Sequence, residues 1–158
     1  MNDNMLNVCA TVNDLGPSQK SFYLIKEFNR AGTETDLSTT VFYNRAAIPV
    51  TRPIFSCSSI SFFASYQGHA ISTTIDEANT LLQTSNSSAK YLYLWDIDWL
   101  NHPVNYGAAT KILCDPRLKI IARSSYHATI IENFCNKQPV GQVDNWNLQQ
   151  ILEVINGD

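Results

Sequence analysis

Strands alternating with helices along 158 residues predict an α/β fold: one doubly wound, mainly parallel, Rossmann-like sheet of about six strands with helices on both faces. Three observations carry this. β-branched and aromatic runs alternate with stretches whose apolar residues recur every three or four positions. The runs are close to continuously apolar, as strands covered on both faces must be. A closed barrel of eight strand–helix units would need about 250 residues, so right-handed crossovers favour an open sheet. Neither an internal repeat nor a linker interrupts the pattern, and residues 1–158 read as a single domain.

The elements follow in order. "MLNVCATV" (5–12) is a short apolar strand that ends in the turn-rich "NDLGPSQKS". "SFYLIKEFNRAG" places Phe22, Leu24, Ile25 and Phe28 at helical spacing, with Gly32 as a stop. "LSTTVFYN" (37–44) is the second strand, and "AAIPVTRP", with its two prolines, is loop or edge. "IFSCSSISFFA" (54–64) reads as the third strand. "SYQGHAISTTIDEANTLLQ" then reads as a helix with Ile71, Ile75, Ala78 and Leu82 on one face. "YLYLWDIDWL" (91–100) opens with the fourth strand.

"NHPVNYGAATKILCDP" holds at most a short helix, and "LKIIARS" (118–124) is the fifth strand. "SSYHATIIENFCN" is a helix capped by Ser124 or Ser125, with Tyr126, Ile130, Ile131 and Phe134 inward. "QPVGQVD" (138–144) is a short sixth strand, and "WNLQQILEVING" a closing helix capped by Asp144 or Asn145.

Composition narrows the function classes. Charged residues are 16% of the chain, against roughly 25% in an average soluble domain, and the net charge is −3. No global basic field draws nucleic acid. The four cysteines have no CxxC spacing and read as buried reduced thiols of a cytoplasmic protein. No signal peptide or membrane span is expected, and the sequon at Asn86 is not expected to carry sugar.

Open parallel sheets bind ligands beyond the carboxyl ends of their strands, where strand order reverses. That rule nominates Asn13, Asp14 and Gly16 after the first strand, Tyr66, Gly68 and His69 after the third, Asp96 and Asp98 after the fourth, Arg123 and Ser124 after the fifth, and Asp144 after the sixth. "NDLGPSQKS" is neither GxGxxG nor a Walker-type phosphate loop; its helix start, with Lys20 beside it, is a candidate phosphate site.

Asp96-Ile97-Asp98 has the DxD form that holds Mg²⁺ or Mn²⁺ in many transferases. The competing reading is two polar residues where a strand meets water, and no metal is assigned. His69 and His127 each stand at an expected helix start, where the dipole favours a neutral imidazole. Arg123 either pins an anion bidentately or pairs with an acid such as Asp98.

"LKIIARSSYHATIIENFCNKQPVGQVDNWNLQQILEVI" resembles in layout a segment of two-domain, GT-B-type glycosyltransferases, and "LNVCATVNDLGPSQKSFYLIKEFNRAGTETDLSTTVFYN" is similar to the opening of their N-terminal domain. Together they cover about half the chain as a pattern of element order. The Asn/Ser/Thr-rich composition resembles that of small proteins of marine T4-like bacteriophages, which implies the host cytoplasm. The glycosyltransferase resemblance implies a nucleotide-sugar ligand, Asp96 or His69 as base on an acceptor hydroxyl, and Lys20, Arg123 and Ser124 on donor phosphates. A homo-oligomer would supply a second wall to the cleft. The alternative is a non-catalytic module that binds a protein partner, its aromatic run ending in a surface patch.

Overall fold

The computed structural model describes residues 6–85, 89–101 and 105–157; Met5 of the expected first strand and the sequon at Asn86 lie outside them. Seven parallel strands form one sheet in the order β3-β2-β1-β4-β5-β6-β7. They are β1 Asn7–Val12, β2 Ser38–Tyr43, β3 Ser56–Ser59, β4 His69–Ser72, β5 Ala89–Leu94, β6 Leu118–Ala122 and β7 Gly141–Gln142. The helices are α1 Gln19–Glu34, α2 Ile75–Gln83, α3 Tyr106–Leu113, α4 Ser125–Cys135 and α5 Leu148–Asn156. Strand order reverses between β1 and β4, which defines the switch point.

Pleat alternation sorts the core into two layers. Tyr91, Tyr93 and Trp95 face α1 and α5, packing with Val8, Ala10, Phe28 and Trp146. Leu92 and Leu94 face the other way, toward Leu113 of α3 and Ile131 of α4. The two layers meet different chemistry: the first is knit by rings, with Trp146 edge-on to Tyr93 at 4.9 Å and to Phe28 at 5.9 Å. Such aromatic pairs contribute about 0.5–1.5 kcal/mol beyond their buried area.

α1 and α5 are also joined by a polar contact. The Leu148 N–H at the start of α5 donates to Glu27 Oε2 at 3.2 Å, and Arg30 pairs with the same oxygen at 2.9 Å. A carboxylate at a helix N-terminus is favoured by the helix dipole. Glu27 is therefore a buried acid with its charge matched on two sides.

Several expectations are corrected: α1 runs past Gly32 to Glu34, where Thr35 closes it, and Tyr126 on α4 is exposed instead of inward. The segment read as one helix from Ser65 to Gln83 is strand β4 followed by α2; His69–Ser72 is too short for periodicity to separate strand from helix, and its place between β1 and β5 decides the matter. Of residues 54–64 only Ser56–Ser59 pair with the sheet, while Ile60–Ser65 form a 3₁₀ turn that sends Phe63 into the core. The sixth expected strand shrinks to Gly141–Gln142, seventh in the chain. There a Cβ would stand 2.4 Å from Val154 Cγ2, so α5 approaches too closely for any larger residue.

The last correction concerns α5, which is capped by Asn147, with neither Asp144 nor Asn145 in that role. Asn145 and Trp146 instead adopt left-handed backbone, φ 46° and 62°, in a turn fastened from below by Tyr93. The thiols also depart from expectation: Cys9 is buried, Cys135 half-buried, and Cys57 and Cys114 are exposed, all four unbridged.

Candidate functional site

The carboxyl ends of β1, β4, β5 and β6 place Asn13, Thr73, Trp95 and Arg123 along one edge of the sheet. Three helices begin there as well, capped by Ser18, Thr74 and Ser124 through their own side-chain oxygens. The α2 cap is reinforced: Thr74 Oγ1 accepts from the Glu77 N–H at 3.2 Å, and the Glu77 carboxyl reaches back to Thr73.

A cavity of about 530 Å³ opens between α2 and α3 at this edge. Its apolar lining comes from Ile75, Leu92, Leu94, Ala109 and Ile112, and its polar lining from Thr73, Thr74, Asp76, Asp96, Trp99 and Asn105. Trp99 Nε1 is buried without a hydrogen-bond partner among the described residues. A second cavity, about 480 Å³, lies on the other side of the start of α2 and is lined by Asn13, Asn44, Ile60, Thr80 and Glu77 together with Thr74 and Asp76. The two cavities share Thr74 and Asp76 and sit on the reversal of strand order. Among the described residues no lysine or arginine lines either one.

The expected site residues separate into three groups. Asp96 lines the first cavity, half-buried beyond β5. Asp98 does not join it. The strand stops at Leu94, the Trp95 N–H turns back to the Tyr93 carbonyl, and the Asp98 N–H donates to Asp96 Oδ1 at 3.4 Å. Asp98 thus opens a 3₁₀ turn and is exposed, so the same-face carboxylate pair of a continuing strand is not formed. Among the described residues no three His, Cys, Asp or Glu side chains are grouped to hold a metal ion.

The second group flanks the cavities. Asp14 Oδ1 accepts from the Gly16 N–H at 2.9 Å and Oδ2 from Arg45 at 2.8 Å, which hold its carboxyl below the usual carboxylate range. The Asp14 carboxyl thus serves its own loop, while the first turn of α1 is capped by Ser18. Gly16 is needed by its own loop: a Cβ there would lie 2.9 Å from Asp14 Oδ1. Lys20 stands near enough for its ammonium to favour the charged forms of both Asp14 and Glu77.

Arg123 lies with its guanidinium 3.8 Å from the centre of the Trp95 ring, and its Nη2 donates to Gln19 Oε1 and Asn145 Oδ1 at 3.2 and 3.0 Å. Its partners are amides, and among the described residues it makes no ion pair with Asp98 or any other acid. Ser124 caps α4, and its Oγ lies 2.8 Å from His127 Nδ1. Burial first and Arg123 second push the His127 pKa down, against the opposing pull of Asp96 and the Trp95 backbone. Burial and Arg123 thus keep the His127 imidazole neutral at neutral pH.

The third group is on the wrong edge. Gly68 and His69 lie at the amino end of β4, His69 in register with Val8 and Ala89, across the sheet from both cavities. Gly68 is there because φ is 144° and a Cβ would meet the Asn7 carbonyl at 2.5 Å. His69 lies away from Asp96, whereas His127 is near enough for the Asp96 charge to act on it.

No family model, curated protein or solved structure matches the chain. The site must therefore be read from its own chemistry. Thr73, Thr74, Asp76, Glu77 and Asn44 are among the lining residues that the sequence did not nominate. The Thr74-x-x-Glu77 spacing, a helix-start signature, was the signal that marks the end of β4 and hence the switch point.

Proposed function

We propose that the protein is a Rossmann-like small-molecule-binding domain whose ligand is of the nucleoside or nucleotide-sugar type. The observation that carries this is the 530 Å³ cavity at the carboxyl edge, with an apolar floor and acceptors at its rim. Its size falls within the roughly 300–1,000 Å³ of small-molecule sites. Leu92, Leu94 and Ile112 suit the face of a planar base. Asp76 and Asp96 suit its amino groups, and the unpaired Trp99 Nε1–H suits an acceptor. Two carboxylates repel phosphate, so phosphoryl groups of such a ligand point outward, toward Lys20. Asp96 is the residue available as general base toward an acceptor hydroxyl if the ligand is a donor for transfer.

The test is calorimetric titration with nucleosides, nucleotides and nucleotide-sugars on the parent protein, Leu94→Trp, which fills the cavity, and Asp96→Asn. Binding of one class that Leu94→Trp abolishes and Asp96→Asn weakens supports the reading. Unchanged binding in Leu94→Trp, or no binding by any of them, refutes it.

A second reading, an interaction module, is favoured by one feature. Ile48 is 87% exposed, and Val50, Ile54 and Phe62 are exposed too, on the segments before and after edge strand β3. Sedimentation of the parent protein and Ile48→Asp decides it: self-association lost in the variant supports this reading, and a monomer at all concentrations counts against it.

A further inference from the structure

We infer that the second cavity, between the end of β2 and the start of α2, binds a neutral polyhydroxylated ring: a free sugar, or the sugar portion of a larger ligand. The inference deepens the proposed function, since the two cavities meet at Thr74 and Asp76 and one ligand can span both; it rests on that reading for the link and on its own residues for the site.

Glu77 is the first of these. Its side chain is 97% removed from solvent, with 3% relative exposure, yet only one of its oxygens is used. Oε2 accepts from the Thr73 N–H at 3.3 Å and from Thr73 Oγ1 at 3.0 Å, while Oε1 has no partner. A buried carboxyl oxygen left unmet is costly, and native structures keep few of them. Thr11 Oγ1, fully buried two residues before Asn13, is likewise unmet. Thr11 follows Cys9 on the pleat that faces α2, so both orphaned atoms belong to the same side of the sheet.

The remaining lining decides the ligand class. Asn13 and Asn44 each offer a donor and an acceptor, Thr74 and Thr80 offer hydroxyls, Asp76 offers a carboxylate, and Ile60 offers an apolar surface for ring C–H groups. Hydroxyl groups, which donate and accept at once, match such a set. Anions do not: two acidic residues and no lysine or arginine line the space. A single bound water does not fill it either, because about 480 Å³ is many times the roughly 30 Å³ share of one water.

The probes are D-ribose, D-glucose and N-acetyl-D-glucosamine at millimolar concentration, followed by amide chemical shifts and saturation transfer on the full chain. Asn44→Ala removes an exposed lining side chain whose loss leaves the core intact, and Glu77→Gln keeps the shape while changing the orphaned group. Sugar-dependent shifts at Asn13, Asn44, Thr74 and Thr80, weakened by about tenfold or more in Asn44→Ala and retained in Leu94→Trp, are expected. Sugars that leave these amides unmoved while nucleosides still bind the first cavity overturn the inference and spare the proposed function. Sugar binding with no nucleoside binding does the reverse, and shifts unaltered by both Asn44→Ala and Glu77→Gln place the sugar elsewhere and overturn the inference.

Discussion

Tyr93→Phe isolates one oxygen at the junction between the core and the candidate site. The Tyr93 hydroxyl donates to the Val143 carbonyl at 2.6 Å and receives the Trp146 N–H at 3.4 Å, with the ring 1% exposed. Removing it leaves a buried carbonyl unpaired, which costs about 1–3 kcal/mol, and a weaker N–H contact worth a fraction of that. The turn it fastens carries Asn145 and Trp146 in left-handed backbone, each disfavoured by roughly 1–2 kcal/mol in isolation.

A loss of about 2 kcal/mol is expected. For a chain of this size that lowers Tm by about 4–8 °C, and urea titration should show a lower midpoint at unchanged slope. There is a pH signature too. Burial pushes the Tyr93 pKa up to about 12, against about 10 unfolded, so its contribution is full below pH 10 and is lost as pH rises toward 12. The variant lacks that alkaline loss. A cost below about 0.5 kcal/mol, or an alkaline profile unchanged in the variant, refutes the reasoning.

Burial likewise raises the Glu77 pKa, against the bonds from Thr73 and the charge of Lys20. The stability this acid allows is highest below its unfolded pKa and declines as pH rises through its folded one, so Glu77→Gln should melt higher than the parent at neutral pH and show a flatter rise toward acid. Gly141→Ala drives a Cβ against Val154 Cγ2; a loss of about 1–3 kcal/mol is expected, and Val154→Ala in the same chain should recover part of it. Equal and additive losses in that double variant would show that the two residues do not press on each other.

The fold was legible because strands covered on both faces announce themselves as apolar runs, and β1, β2, β5 and β6 are such runs. β4 was not. His69-Ala-Ile-Ser has four residues, a helix of matching apolar spacing follows at once, and only its neighbours in the sheet distinguish the two. The site inherited that error: with β4 hidden, Gly68 and His69 were assigned to the carboxyl edge that Thr73 and Thr74 occupy. Asp96 was found by position alone, whereas the place of Asp98 depended on where the strand stops: β5 ends at Leu94, and an exposed Asp98 opens the turn that follows. The influence of Asp96 on His127 joins residues that follow the neighbouring strands β5 and β6, a proximity that spacing along the chain does not encode.

The contact between Glu27 and Leu148 joins residues 121 positions apart, and it bears on the order in which the chain can settle. Until α5 docks, the apolar flank of α1 and the ring system around Phe28 have no cover, and Glu27 has lost a partner. Contacts of such long range must wait for large loops to close, which slows folding relative to helical bundles. During synthesis at about 5–20 residues per second, the first helix waits several seconds for the last. The Glu27–Leu148 bond and the Phe28–Trp146 ring pair are thus among the last contacts the chain can make.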